Sequence, residues 1–281
     1  MVDFFVTNKN RFYQQNSDDD PQWVESIEDD PMIIMTHDGC TCSASEHLSK
    51  KWCFDFNSPL YDKARGRSRM LSYFLCQHKY SGLFELSEDE YREAVRVNPE
   101  LEEPDDRCEF DERSANASME PGKNKDGYFD NKAILEQFER LFKLLKFKTI
   151  FKNHKIVLLV DNARTHTAKK FDKNQLFKKA GTNCLYKFME WEENGELKRF
   201  EFFDQNGISK GLFNTCVELR LIPEVAEYNS KEYRLDKLRD HLSSHQAFEE
   251  KSNLEILADR YGVILLFWPK FHCELNPIES V

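Results

Sequence analysis

The sequence contains little glycine and proline and has no long apolar run. It has 10 Gly and 9 Pro among 281 residues, which excludes collagen-like and glycine-rich disordered chains. A transmembrane helix needs about 18 consecutive apolar residues, whereas the longest apolar run here, 263–268, has the length of a strand. The first ten residues lack a basic stretch followed by an apolar one, so no secretory signal is expected. These absences favour an intracellular protein, nuclear or cytoplasmic.

Positive charge is also in deficit. The 50 acidic residues outnumber the 40 basic ones, for a formal net charge of -10. Non-specific attraction to nucleic acid or to an anionic membrane is therefore not the default expectation, and any DNA contact must depend on local basic clusters. The 8 cysteines have no regular spacing, so in a reducing compartment they are expected to be free thiols, mostly buried.

Apolar runs predict the strands of a buried sheet. The run Met32–Met35 follows Pro31 and is stopped by polar residues, which puts Asp38 at the C-terminal end of the first strand. Residues 156–160 are all aliphatic, as is typical of a strand buried on both faces, and Asp161 follows them. Further strands are expected at 51–56, 68–77 and 263–267.

Helical and turn patterns complete the expected organisation. Residues 131–145 place apolar side chains on one helical face, and Asn194-Gly195 predicts a hairpin over 185–203. Residues 276–279 begin a helix that the chain cuts off, with Asn as N-cap, Pro in the first helical position and Glu in the first turn. Other expected segments are a polar lead-in at 1–30, an acidic loop at 98–127, and helices at 208–221, 231–246 and 252–261.

Three acidic residues, Asp38, Asp161 and Glu279, stand at the ends of predicted elements. Carboxylates at the C-terminal edges of neighbouring strands converge on one side of an open sheet. Converging carboxylates stay ionised when cations bridge them, and Mg²⁺ prefers oxygen ligands. Two such ions would suit phosphoryl transfer at a phosphodiester. Each acid also has a structural explanation, since Asp38 could open a turn, Asp161 could cap a helix, and Glu279 could complete a capping box.

Three motifs resemble the catalytic blocks of DDE superfamily endonucleases, the catalytic domains of mariner-like transposases. They are Thr36-His37-Asp38, the segment Val160–His166, and the segment Pro269–Glu279. They occur in the family's order, and the resemblance extends from about Met32 to the C-terminus. It also includes Gly66-Arg67-Ser68 and the segment 122–129.

This resemblance implies an α/β fold of the RNase H-like type, over residues 31–281, with a mixed central sheet flanked by helices. It implies that Asp38, Asp161 and Glu279 are the catalytic residues and hold two Mg²⁺ or Mn²⁺ ions. The expected reaction is nicking of DNA followed by strand transfer. DNA, as transposon ends and target, is the implied partner. A homodimer is compatible with it, and neither a membrane nor a small-molecule cofactor is expected.

The resemblance also assigns neighbours to the three acids. Asn162 and Asn276 would orient the adjacent carboxylates by hydrogen bonds. His166 would lie on a helix after Asp161 and position it or contact DNA, although a helix histidine bonded to a backbone carbonyl explains it equally well. Lys270 and His272, just before the third acid, are further expected DNA contacts.

A basic stripe precedes the predicted strand at 68–77. Alternate residues of a strand share one face, so these side chains could contact phosphates beside the acidic site. A solvated sheet edge defended by charge is the alternative. The stripe consists of Lys63, Arg65, Arg67 and Arg69.

The chain also departs from the family pattern. Gly39 stands where related sequences commonly have an acidic residue. The interval between the second and third acids is much longer than in compact mariner enzymes, and the surplus, 173–250, predicts an inserted hairpin-plus-helix subdomain. That insertion contacts DNA through Lys198, Arg199 and Lys210, or it forms a solvated helical lid. Residues 1–30 lack a helix-turn-helix pattern, so a fragment or degraded copy with a truncated C-terminal helix is expected.

Three other interpretations stay open at this point. The chain could be a catalytically inactive transposase-derived protein that binds DNA or another partner without cutting. It could be an unrelated α/β structural protein in which the acids are helix caps and turns. A zinc site is a weaker option because a Cys-x-Cys pair lacks the usual ligand spacing. Its candidate ligands are His37, Cys40, Cys42 and Cys53.

Overall fold

The computed structural model of the protein describes most of the chain. Its contacts form two compact units, Met1–Thr167 with Leu254–Val281, and Ala168–Asn253. The predicted insertion, 173–250, lies within the second unit. The predicted strand at 51–56 lies outside the described residues, which are 1–16, 23–24, 26, 28–43, 67–78, 81–103, 108–122, 125–193, 195–248, 251–270, 272 and 276.

The secondary structure is distributed over both units, and β9, β10, α4 and α5 belong to the second. The strands are β1 (Gln14–Gln15), β2 (Trp23–Val24), β3 (Met32–Ser43), β4 (Ser68–His78), β5 (Ser81–Leu83), β6 (Glu109–Phe110), β7 (Ala117–Met119), β8 (Lys155–Val160), β9 (Phe188–Glu193), β10 (Glu196–Glu201) and β11 (Ile264–Phe267). The helices are α1 (Val2–Thr7), α2 (Glu88–Val97), α3 (Asn131–Leu145), α4 (Gly211–Glu218), α5 (Leu235–Ser243) and α6 (Asn253–Tyr261).

The first unit is built on a mixed sheet in the order β11-β8-β3-β4-β7-β6, with β5 paired to β4. The strands β11, β8 and β3 are parallel, and the remaining pairs are antiparallel. One face packs against α2, α3 and α6 in the main core. The other face carries Val157 and Leu159 of β8 in a second apolar cluster. The predicted α/β class, with a mixed sheet flanked by helices, is confirmed.

Two segments that were expected to lie outside the core contribute to it. The prediction of a polar lead-in at 1–30 is wrong, because Phe12 is buried against the sheet with Met32. A single buried residue produces no periodic signal. The prediction of an acidic loop at 98–127 is also wrong, because β6 and β7 join the sheet and Ala117 and Met119 are buried. Two-residue and three-residue strands are too short to form an apolar run.

The first predicted strand continues beyond its apolar run. Thr36 and His37 are buried, and β3 extends to Ser43 although residues 39–42 are exposed. The reason is pairing, since the antiparallel register between β3 and β4 runs on to Ser43↔Ser68. Asp38 therefore lies within β3 and not at its end, and that prediction is wrong.

The composition of the sequence predicted that the cysteines are free thiols, mostly buried. Its lack of a long apolar run predicted that no helix spans a membrane. Across the part of the chain that the structure describes, no helix is both long and apolar enough to cross a membrane. None of the cysteines in that part forms a disulfide. Burial is less general than predicted, because Cys40 and Cys42 are exposed and Cys184 is half-buried, whereas Cys76, Cys108 and Cys216 are buried.

Glu90 joins the start of α2 to a neighbouring turn. Its carboxylate accepts hydrogen bonds from the amides of Ser87 (2.9 Å) and Thr149 (2.7 Å), and Ser87 caps α2 in return. Burial alone would raise the pKa of Glu90, but these hydrogen bonds and the charge of Lys148 outweigh it and lower the pKa to about 2.

Glu90→Gln is expected to lower the free energy of unfolding by about 1 kcal/mol at pH 7. A carboxyl with a depressed folded-state pKa contributes stability above its unfolded pKa and loses it as the pH falls through the folded one. The difference between wild type and variant should therefore shrink below the ordinary value of 4.5 and vanish near about 2. Urea unfolding over this pH range measures it, with the exposed Glu93→Gln as control. A difference that is independent of pH would contradict the prediction.

Candidate functional site

Asp38 lies on β3, and Asp161 directly follows the adjacent parallel strand β8. The register of β3 and β8 ends with the pair Thr36↔Leu159, and each aspartate follows that pair by two residues. Neighbouring strands lie about 4.8 Å apart, so the two chains are adjacent at that last pair, two residues before each aspartate. Asp161 directly follows β8, as predicted. The third predicted acid, Glu279, lies outside the described residues.

Asp161 presents one carboxylate oxygen to hydrogen-bond donors of its own turn. Its Oδ1 accepts from the amide of Ala163 (3.0 Å) and lies 2.5 Å from Nδ1 of His166. Burial alone would raise the pKa of Asp161, but these hydrogen bonds outweigh it and lower the pKa below its ordinary value. The side chain is 49% exposed, and among the described residues its Oδ2 has no hydrogen-bond partner. Asp161 is therefore an ionised carboxylate with one oxygen available.

A turn, and not a helix, carries His166 back to Asp161. The amides of His166 and Thr167 both donate to the carbonyl of Ala163 at 3.0 Å. The expectation that His166 lies on a helix is therefore wrong, and its ring contacts a carboxylate instead of a backbone carbonyl. Since an ionised carboxylate only accepts, Nδ1 of His166 carries the hydrogen. His166 is thereby fixed in one orientation beside Asp161.

The two predicted asparagines have different partners. Asn276 is 4% exposed, and its Nδ2 donates to Oδ2 of Asp38 at 2.9 Å. Its buried Oδ1 has no hydrogen-bond partner within the described ranges. Asn162 instead donates to the carbonyl of Trp268, which ties the end of β8 to the end of β11. Of the two, Asn276 thus contacts a predicted catalytic carboxylate, that of Asp38, whereas the described partner of Asn162 is a backbone carbonyl.

Behind the carboxylates lies a buried polar chain that sequence reasoning missed. Gln137 donates from Nε2 to the carbonyls of Ser72 and Ala115, both at 2.9 Å, so its Oε1 is the acceptor for the Ser72 hydroxyl at 2.8 Å. Having donated its hydrogen, Ser72 accepts from Nε2 of His37 at 2.7 Å. The available signal was a glutamine within the apolar face of α3.

His37 is held neutral in this position. Burial, and then the nearby His166, lower its pKa well below the ordinary value, against the opposing effects of Asp161 and the Gln137 hydrogen bond. The rings of His37 and His166 meet edge to face at 5.1 Å, and Phe138 packs against both, at 4.7 and 5.8 Å. The position of Asp161 is therefore set, through His166, by the core of the first unit.

The predicted basic contacts are only partly described. Lys63 and Arg65 lie outside the described residues, whereas Arg67, Lys270 and His272 are exposed. Arg69 is exposed but forms an ion pair with Glu109 and a hydrogen bond to Ser118. The cations proposed for the insertion are also paired, Lys198 with Glu193, Arg199 with Glu190 and Glu201, and Lys210 with Glu218.

The oxygen donors fit a hard cation better than zinc. In the described ranges, which include neither Glu279 nor Cys53, no group of three or more His, Cys, Asp or Glu side chains could hold a metal ion. Asp161 offers a free ionised oxygen, and Asn276 offers a buried amide oxygen next to Asp38. Such ligands suit Mg²⁺ or Mn²⁺.

Comparison of the chain with protein-family models, with curated proteins and with solved structures gave no match. The resemblance to DDE endonucleases therefore rests on the three sequence motifs. Function has to be argued from the chemistry of the site.

Proposed function

We propose that the protein is a transposase-type DDE endonuclease of the RNase H-like class, which nicks DNA with Mg²⁺ or Mn²⁺ and transfers the strand. Asp38 and Asp161 would hold the ions, with Glu279 as the third ligand. The observation that carries the proposal is a pair of aspartates that each follow the last register pair of the adjacent parallel strands β3 and β8 by two residues. One of them, Asp161, is ionised and half-exposed, with an available oxygen.

The chain's own residues would keep this site in one arrangement. His166 holds Asp161 by its Oδ1 and leaves Oδ2 without a hydrogen bond to the described residues, while Asn276 holds Asp38 by one oxygen. Neutral His37 adds no positive charge behind the carboxylates, so it does not compete with a cation for them. When bound, the divalent ions would offset the negative charge of the site and of the phosphodiester and activate the attacking water.

Nicking of supercoiled plasmid DNA tests the proposal. We expect open-circular product in Mg²⁺ or Mn²⁺ and none in EDTA, because carboxylates alone repel the phosphodiester. Adding excess Mg²⁺ back to the chelated sample should restore nicking.

Binding to the same plasmid is measured in parallel in EDTA. Equal nicking with and without chelator would reject a metal-dependent reaction. Binding without nicking in either metal would reject the endonuclease and favour a catalytically inactive DNA-binding relative.

A further inference from the structure

The start of the second unit is rich in lysine. Residues 169–187, here called the lysine segment, contain a single acidic residue, Asp172, whose carboxylate accepts from the amide of Asn174 at 2.8 Å. Two of its lysines bond within the unit, Lys173 to Ser243 and Lys178 to the carbonyl of Tyr228. The remaining four are exposed, namely Lys169, Lys170, Lys179 and Lys187.

These four lysines differ from the two lysines of the hairpin and of the start of α4, Lys198 and Lys210. None of them forms an ion pair with a carboxylate that the structure describes, whereas Lys198 and Lys210 are paired with Glu193 and Glu218. A paired cation has much of its field cancelled by its partner, but an unpaired one projects it into solvent. The lysine segment is therefore a positive surface within a chain of net charge -10.

The backbone of the segment is bonded to the rest of its unit at several points. The amides of Gly181, Leu212 and Phe202 bond to the carbonyls of Ser209, Phe177 and Lys187 at 2.8, 2.7 and 2.9 Å. Gly211 packs so closely that an added Cβ would lie 2.5 Å from the carbonyl carbon of Lys179. A backbone fixed in this way presents its lysines with little ordering cost on binding.

A second contact brings the two ends of the segment together. The hydroxyl of Tyr186 accepts from the amide of Asp172 at 2.8 Å, and the rings of Phe171 and Tyr186 meet at 5.3 Å. Lys170 directly precedes Phe171 and Lys187 directly follows Tyr186, so these contacts bring the backbone at the two lysines close together.

Exposed apolar side chains are interleaved with the lysines. Phe177, Leu185 and Phe188 are 48%, 65% and 39% exposed. Lysine contacts phosphates, and exposed aromatic rings pack against sugars and bases. An anionic membrane surface would instead favour an amphipathic helix, but the described structure of the segment is irregular apart from the short 3₁₀ turn Lys173–Gln175.

We infer that the lysine segment is a second DNA-contacting surface, which binds the phosphate backbone without sequence preference. The choice of DNA over other polyanions rests on the proposed function. Binding itself needs neither the carboxylates nor a metal, so it is measured in EDTA.

The test is fluorescence anisotropy of a labelled duplex of mixed sequence over a series of salt concentrations. K179Q/K187Q is expected to weaken binding at least about tenfold and to reduce the slope of log K against log salt by about 1.8. The matched control K198Q/K210Q changes the same net charge in the same unit and is expected to weaken binding less than about twofold, because its lysines are paired. K169Q/K170Q/K179Q/K187Q should have a larger effect than K179Q/K187Q.

Equal losses in the two double variants would overturn the inference, since net charge alone would then explain binding. It would also be overturned if neither variant lost affinity, or if the wild-type protein bound anionic phosphatidylserine vesicles and not DNA. The urea midpoints of unfolding of both double variants are compared with that of the wild type, to establish that the variants are folded in the binding assay. If K179Q/K187Q weakens DNA binding as expected but the wild-type protein does not nick DNA, the endonuclease proposal would be rejected and the DNA-binding surface retained.

Discussion

Asp161→Asn is expected to reduce metal-dependent nicking by at least about 1,000-fold, because loss of a charged metal ligand removes several kcal/mol of transition-state stabilisation. The substitution is nearly isosteric. Asparagine keeps an Oδ1 that can accept from the Ala163 amide and from His166, while the ionised Oδ2 becomes a neutral NH₂. The turn after β8 should therefore survive, and the loss should appear in nicking and not in stability.

Asp204→Asn is a matched control for this variant. Oδ1 of Asp204 also accepts two hydrogen bonds from its own loop, from the amides of Asn206 and Ile208, both at 2.9 Å. It lies in the second unit and has no part in the proposed site. Nicking by Asp161→Asn at a tenth or more of the wild-type rate would exclude Asp161 as an essential ligand. An equal loss in Asp204→Asn would show that the assay reports folding.

Phe138→Ala is expected to lower the free energy of unfolding by about 3–5 kcal/mol. The ring is fully buried and packs edge to face on Phe74 at 5.1 Å and on His37 at 4.7 Å. Its removal leaves a cavity between α3 and the sheet and takes away the surface on which both histidines rest. Nicking by the fraction that remains folded should therefore also fall. Urea denaturation measures the stability, and the nicking rate is corrected for the folded fraction.

Leu83→Ala provides the comparison for this second variant. Leu83 lies in the same unit on β5 and is 43% exposed, so its truncation should cost less than about 1 kcal/mol. A loss below about 1 kcal/mol for Phe138→Ala as well would contradict the packing of α3 on β3 and β4.

Local sequence pattern predicted the elements whose residues share one environment. The aliphatic run at 156–160 became β8 because both faces of that strand are buried, and the helical periodicity of 131–145 became α3 because one face lies on the sheet. Pattern failed where pairing with another segment decides the conformation. The exposed end of β3 is extended because β4 binds it, and β7 is a strand because it joins β4.

The candidate site divides in the same way. The apolar run at 156–160 was enough to put Asp161 directly after a buried strand, and the family resemblance marked His166 and Asn276 as residues near carboxylates. Whether these two side chains contact the carboxylates depends on the register of the strands and on where the chain comes back to the sheet. Asn276 reaches Asp38 across 238 residues, and Ser72 reaches Gln137 across 65. Short-range pattern reports how deeply a residue is buried, but a hydrogen bond between distant segments exists only after the sheet has aligned them, so the tertiary structure alone decided these partners.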